Sequence, residues 1–130
     1  MIHHGSCYCK EIQYDIDLAS SEEARTSLCH CKNCKKWTGS AFGITTKIPR
    51  SALSITHGRT VEHISDNGSG TKLYREFCGT CGSGILEYGE NAGDSTYITY
   101  GSLDSPEELP PKGEFFCKFK DQWLPNIPGE

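Results

Sequence analysis

The sequence predicts an all-β domain, and three observations carry that prediction. Apolar residues alternate with polar ones in short runs, the period of a half-buried strand and not of a helix. Turn residues are dense, with 14 glycines and 6 prolines in 130 residues, so few segments have the length a helix needs. The hydrophobic fraction is only 35%, while eight cysteines, most of them in close groups, offer staples where the core is thin. One domain spanning residues 1–130 is the expectation, since neither an internal repeat nor a linker divides the chain.

Taken in order, the first strand signal is Glu11 to Asp17, where Ile12, Tyr14 and Ile16 alternate with polar neighbours. A polar connection follows from Ser20 to Arg25, and the segment running into Cys29 reads as a strand. Lys35 to Gly39 reads as a short helical turn ended by glycine. Phe42 to Ile48 resumes β character until Pro49 breaks it, and Leu53 to His57 takes it up again before Gly58. Thr60 to Ile64 and Lys72 to Phe77 flank Asp66-Asn67-Gly68-Ser69-Gly70, a strong hairpin signal. Ile85 to Tyr88 and Thr96 to Tyr100 are two further strands across the loop Gly89 to Asp94. Ser105-Pro106-Glu107-Glu108 reads as a capped single turn with proline just inside its start. A last strand is expected from Glu114 to Lys120.

Against this background the cysteines stand out. Cys29-His30-Cys31-Lys32-Asn33-Cys34 puts three thiols in six residues, which packing alone does not explain. Cys29 and Cys31 leave an extended segment on one face, and a tight turn returns Cys34 to the same point. Thiolates at about 2.3 Å from a tetrahedral zinc satisfy that geometry and leave the fourth position open. Cys78-Gly79-Thr80-Cys81-Gly82 is a zinc knuckle by its spacing, and Cys7-Tyr8-Cys9 supplies two more thiols. Two partitions fit. In one, Cys7, Cys9, Cys78 and Cys81 close a structural site and the 29–34 trio forms a second, open one. In the other, the trio joins the 78–81 knuckle and leaves Cys7 and Cys9 free. Cys117, between aromatic residues, is expected to be a lone core cysteine, or else an eighth ligand that closes the trio. His30 alternates with the ligands and is expected to point away from them; His3, His4, His57 and His63 have no ligand spacing.

Charge and composition exclude other classes. The formal net charge is −4 at pH 7 with both signs interleaved, so there is no basic stripe for nucleic acid, and thiolates on zinc would make the chain more negative still. No apolar run has the length of a signal peptide or a membrane span. That places the cysteines in a reducing, cytoplasmic setting, where metal binding beats disulfide formation. There is no Ser/His/Asp arrangement, phosphate-cradling loop or nucleotide fingerprint.

With these residues in view, the chain resembles the glutathione-dependent formaldehyde-activating enzyme family, which includes the centromere protein V relatives. The resemblance is carried by Gly5-Ser6-Cys7-Tyr8-Cys9, by the 29–34 cluster followed by Thr38-Gly39-Ser40-Ala41-Phe42, by Arg75-Glu76-Phe77-Cys78-Gly79-Thr80-Cys81-Gly82-Ser83 and by Trp123-Leu124-Pro125. It implies a β-tent of short sheets, a structural zinc on Cys7, Cys9, Cys78 and Cys81, and a catalytic zinc on Cys29, Cys31 and Cys34. The activity it implies is of the carbon–sulfur lyase type, joining formaldehyde to the thiol of glutathione. Lys10 departs from the family's usual glycine after the first pair, and the segment before Trp123 lacks a histidine found in many members. Because glutathione is anionic, Lys35 and Lys36 are the expected clamp, with Lys47 and Arg75 behind them. Thr38 and Ser40 are expected to donate hydrogen bonds to the bound thiol or hydroxymethyl group. The alternative is a non-catalytic zinc-stapled interaction module.

Overall fold

The computed structural model describes residues 1–126 of the chain. The described residues form two sheets and one α-helix. The smaller sheet is antiparallel, in the order β1 (Ile2–Ser6), β2 (Gln13–Asp17), β5 (Leu53–His57). The larger has seven strands: β3 (Arg25–Cys29), β4 (Gly43–Pro49), β6 (Val61–Asp66), β7 (Lys72–Phe77), β8 (Gly84–Gly89), β9 (Ser95–Thr99) and β10 (Pro111–Phe115). Their order is β10-β3-β4-β9-β8-β7-β6, antiparallel throughout except that β10 runs parallel to β3. The helix α1 spans Lys32–Thr38. The all-β expectation holds, and among the described residues no helix is long and apolar enough to cross a membrane.

The core lies between the sheets. Ile12, Tyr14, Ile16 and Leu18 of the smaller sheet and its flanks meet Ile48, Ile85, Leu86 and Ile98 of the larger. The Tyr14 hydroxyl stays satisfied at the core's edge, 2.6 Å from Ser102 Oγ. Burial pushes this phenol well above its ordinary value. Cys7 and Cys78 belong to the same cluster, so one group of thiols is built into the core itself.

The other face of the larger sheet positions the second group. Register pairs Cys29 with Gly43, Ser27 with Thr45 and Arg25 with Lys47 across β3 and β4. It continues from Lys47 to Tyr97, from Tyr97 to Glu87 and from Glu87 to Arg75 across β9, β8 and β7. Residues on a common rung share a face, so all of these project away from the core. The helix covers one end of that face. Its Trp37 ring has the Arg75 guanidinium 4.7 Å above it and stacks on His63 at 5.8 Å.

Three expectations need correction. Strand β1 carries no sequence signal, because its inward residues are His3 and Gly5 and not large apolar side chains. The last strand ends at Phe115, since Phe116 adopts left-handed φ (57°) and turns the chain into a 3-10 turn at Cys117–Phe119. Cys117 is therefore exposed on that turn and not in the core. The turn at Pro106–Glu108 forms without a side-chain cap from Ser105.

Candidate metal centres

Folding brings the thiols together as four and three. Cys7, Cys9, Cys78 and Cys81 converge, and Cys29, Cys31 and Cys34 converge separately, with the sulfurs of each group all within 4.8 Å of one another. The partition that joins the trio to the 78–81 knuckle is excluded by this placement.

The group of four sits where the β1–β2 turn meets the β7–β8 turn. Cys7 Sγ is 3.6 Å from Cys9 Sγ, and Cys9 Sγ is 3.7 Å from Cys78 Sγ. Four sulfurs around a tetrahedral zinc, each at about 2.3 Å, lie roughly 3.8 Å apart, so the donor set fits that ion by type and by spacing. The backbone is already aimed at the sulfurs. The N–H of Ile12 donates to Cys7 Sγ at 3.2 Å, and those of Thr80 and Cys81 donate to Cys78 Sγ at 3.3 and 3.5 Å. Gly82 closes the knuckle with φ +81° and donates its N–H to Cys78 O at 2.8 Å. The Ser83 hydroxyl, 3.1 Å from Cys81 Sγ, is the main cause that brings the Cys81 thiol down to about 5. Backbone donation from Cys81 likewise lowers Cys78. Cys78 and Cys81 are thus prepared as thiolates, the form a metal binds, whereas at Cys9 a backbone hydrogen bond from Glu11 is outweighed by desolvation and the neighbouring thiols, which push it up to about 12.

The trio is assembled by the entry into α1. Cys31 is the helix N-cap, its sulfur accepting the Cys34 N–H at 3.2 Å, which folds Cys34 back toward Cys29 at the end of β3. Across the rung from Cys29, Gly43 makes room, because a Cβ there would stand 3.1 Å from Cys34 Cβ. Hydrogen bonding from Cys34 is the chief cause that lowers Cys29 to about 6, and the same bond raises Cys34. Among the described residues no fourth histidine, cysteine or carboxylate joins these three.

His30 lies between two of the trio and faces the opposite way. It is fully buried, and its Nε2–H donates to Glu114 Oε1 at 2.8 Å, with Lys120 Nζ 3.0 Å from the same carboxylate oxygen. The backbone N–H of His30 also donates to Phe115 O at 3.0 Å. The trio's backbone is thus tied to β10 and the turn after it. No spacing rule could find this pair, because 84 residues separate its members.

A cleft of about 380 Å³ opens beside the trio, with Cys29 and Cys34 in its wall. Of the residues expected to bind substrate, Lys35, Lys36, Thr38 and Ser40 are all absent from its lining. Lys35 Nζ instead donates to Phe119 O at 2.7 Å and pairs with Asp121 at 3.2 Å. Lys36 and Ser40 are exposed. Thr38 donates to Cys34 O at 2.9 Å and lines a small inner pocket with Cys29 and Cys34. Arg75 is buried and paired with Glu87 at 3.1 Å. Lys47 does line the cleft, joined there by Arg25 and Lys72.

Comparison with known proteins places the chain among relatives. An Aspergillus terreus protein, whose name assigns it provisionally to glutathione-dependent formaldehyde activation, is 32% identical over 60% of this chain and 40% of its own. An uncharacterized lyase of Schizosaccharomyces pombe is 32% identical over 74% of this chain and 64% of its own. The chain thus spans about two fifths of the first relative's length and under two thirds of the second's. A crystal structure of a Rhodobacter sphaeroides protein shares the fold at TM-score 0.63 and 18% identity, over 85% of this chain and 98% of that one. The model of the glutathione-dependent formaldehyde-activating enzyme family matches residues 2–119, and the chain belongs to that family.

Proposed function

We propose that this protein is a zinc-dependent enzyme of the carbon–sulfur lyase type, interconverting a small thiol plus an aldehyde and their S-hydroxyalkyl adduct. Glutathione and formaldehyde are the first pair to test. The observation that carries the reading is the trio. Three sulfurs converge with no fourth protein ligand among the described residues, in the wall of a cleft large enough for a peptide-sized thiol. A purely structural site would be closed, as the group of four is.

Cys29, Cys31 and Cys34 would hold the reactive ion, and Cys7, Cys9, Cys78 and Cys81 the fold-stapling one. Bound at the trio, zinc would supply thiol activation near neutral pH. In the forward direction the substrate sulfur forms a bond to the aldehyde carbon, the carbonyl π pair moves to oxygen, and the thiol proton ends on that oxygen. The chain contributes position. The β3–β4 floor holds the thiol beside the trio, and holding both reactants together turns a bimolecular step into an effectively unimolecular one. Arg75 neutralises Glu87, so the carboxylate in the cleft wall does not repel an anionic substrate.

Cys31→Ser tests the reading. Zinc content falls from two per chain to one, and turnover of glutathione plus formaldehyde is lost while the fold is kept. Wild-type activity in the variant would reject the mechanism.

A further inference from the structure

The cleft concentrates one sign of charge. Arg25, Lys47 and Lys72 line it, Glu87 is the carboxylate among its lining residues, and that carboxylate is committed to Arg75. Arg25, Lys47 and Lys72 have no ion-pair partner among the described residues, although the chain as a whole carries −4. Arg25 spends one N–H on Lys112 O at 3.3 Å, and Lys47 stands 6.0 Å above the Tyr97 ring. Both leave donors for a ligand.

Their placement is metric. Arg25 and Lys47 occupy one rung of the β3–β4 ladder, and Cys29 is on the same face four residues along β3. At about 3.3 Å per residue the rung lies about 13 Å from the trio, backbone to backbone. Arginine and lysine side chains reach back over part of that distance. The gap they leave accommodates an anionic thiol lying along the floor, its carboxylate on the rung and its sulfur at the trio.

We infer that the Arg25–Lys47 rung is the carboxylate-binding end of the cleft and sets its preference for anionic thiols over neutral ones. The inference rests on the proposed reaction for its biological meaning, but its geometry is tested without turnover. Charge-assisted hydrogen bonds to a carboxylate are strong when shielded and weaken with exposure. Both side chains are exposed at the cleft rim, so up to about fivefold in affinity per cation is the scale expected.

The experiment measures binding of S-methylglutathione, which lacks a free thiol, to the zinc-loaded protein by calorimetry. Wild type binds it, the affinity falling as salt rises. Arg25→Gln/Lys47→Gln binds it at least tenfold more weakly, and Arg59→Gln, a cation on the turn before β6, binds it as wild type does. The diethyl ester of the same probe binds wild type as weakly as the diacid binds the double variant. Circular dichroism checks that the double variant is folded; if it is not, Lys47→Gln alone replaces it, with about a threefold to fivefold loss expected. Equal binding of the diacid by wild type and variant, tight binding of the ester, or no binding by wild type overturns the inference. Failure of glutathione turnover with this binding pattern intact would count against the reaction and leave the rung standing. Turnover with an unchanged KM in the variant would remove the rung and leave the reaction.

Discussion

His30→Ala tests whether the trio is held from behind by the link to β10. His30 and Glu114 side chains are 0% and 3% exposed, and their hydrogen bond is 2.8 Å long. Breaking one partner of such a buried pair costs about 3–5 kcal/mol when the remaining charge is stranded. Here Glu114 keeps Lys120 at 3.0 Å, so the lower end, about 3 kcal/mol, applies. For a chain of this length each kcal/mol moves the melting temperature by about 4 °C, giving a fall of about 12 °C. The assay is thermal and urea unfolding of the zinc-loaded protein under reducing conditions, run as a double-mutant cycle with Glu114→Gln. A coupling of about 1.5–3 kcal/mol is expected for a buried bond to a charged group. Metal content should stay at two per chain, because His30 faces away from the sulfurs. A loss below about 1 kcal/mol, with negligible coupling, would show that the buried contact does not bear on stability. Loss of one metal with an unchanged melting temperature would instead make His30 a ligand.

The remaining predictions concern the metals and the first cysteine turn. Cys81→Ser should collapse the fold and not merely inactivate it, since its site joins the core at Cys7 and Cys78; a cooperative melt close to that of wild type would contradict this. Acid should release the metals. Cys78 and Cys81 have folded values below the ordinary thiol value of 9, with Cys81 at about 5, so the stabilisation from their thiolates is present above 9 and lost as pH falls through about 5. In the trio Cys29 holds its charge only to about 6 while Cys34 is held as the thiol. Each centre also has one thiol held high, Cys9 and Cys34, so both metals should be lost as pH falls through about 6 to 5, and a chromogenic chelator should report their release across that window; full retention of both metals well below pH 5 would refute this. Lys10→Gly should raise stability, because Lys10 sits at φ 67° just after the first cysteine pair. Relief of left-handed strain of about 1 kcal/mol corresponds to a melting temperature about 4 °C higher, and no rise would mean the turn carries no strain.

What could be read in advance divides along a physical line. A strand with an apolar inner face, such as Gln13–Asp17, announces itself by alternation. Strand β1 does not, because its inner face is a histidine and a glycine held by neighbours and not by hydrophobicity. The trio is local, so its spacing was enough to propose it. The group of four depends on two turns 69 residues apart in sequence, from Cys9 to Cys78, and spacing alone left its membership open. The cleft was least legible. Lysines next to Cys34 looked like a clamp by adjacency, but α1 turns Lys35 onto Asp121. The cations in the cleft come from the register that pairs Arg25 with Lys47, a property of the assembled sheet.

The separation between Cys9 and Cys78 has a consequence for how the chain matures. On the proposed metal binding, the trio would be able to capture an ion as soon as residues 29–34 emerge from a ribosome, whereas the other centre would have to wait until the knuckle at 78–81 has been synthesised and the long intervening loop has closed. Loop closure costs entropy that grows with length, so refolding with a chelator present should be slow in the step that docks the amino-terminal hairpin. Adding metal before that step should speed it, making the ion at the four-cysteine centre a participant in folding kinetics as well as a resident of the finished molecule.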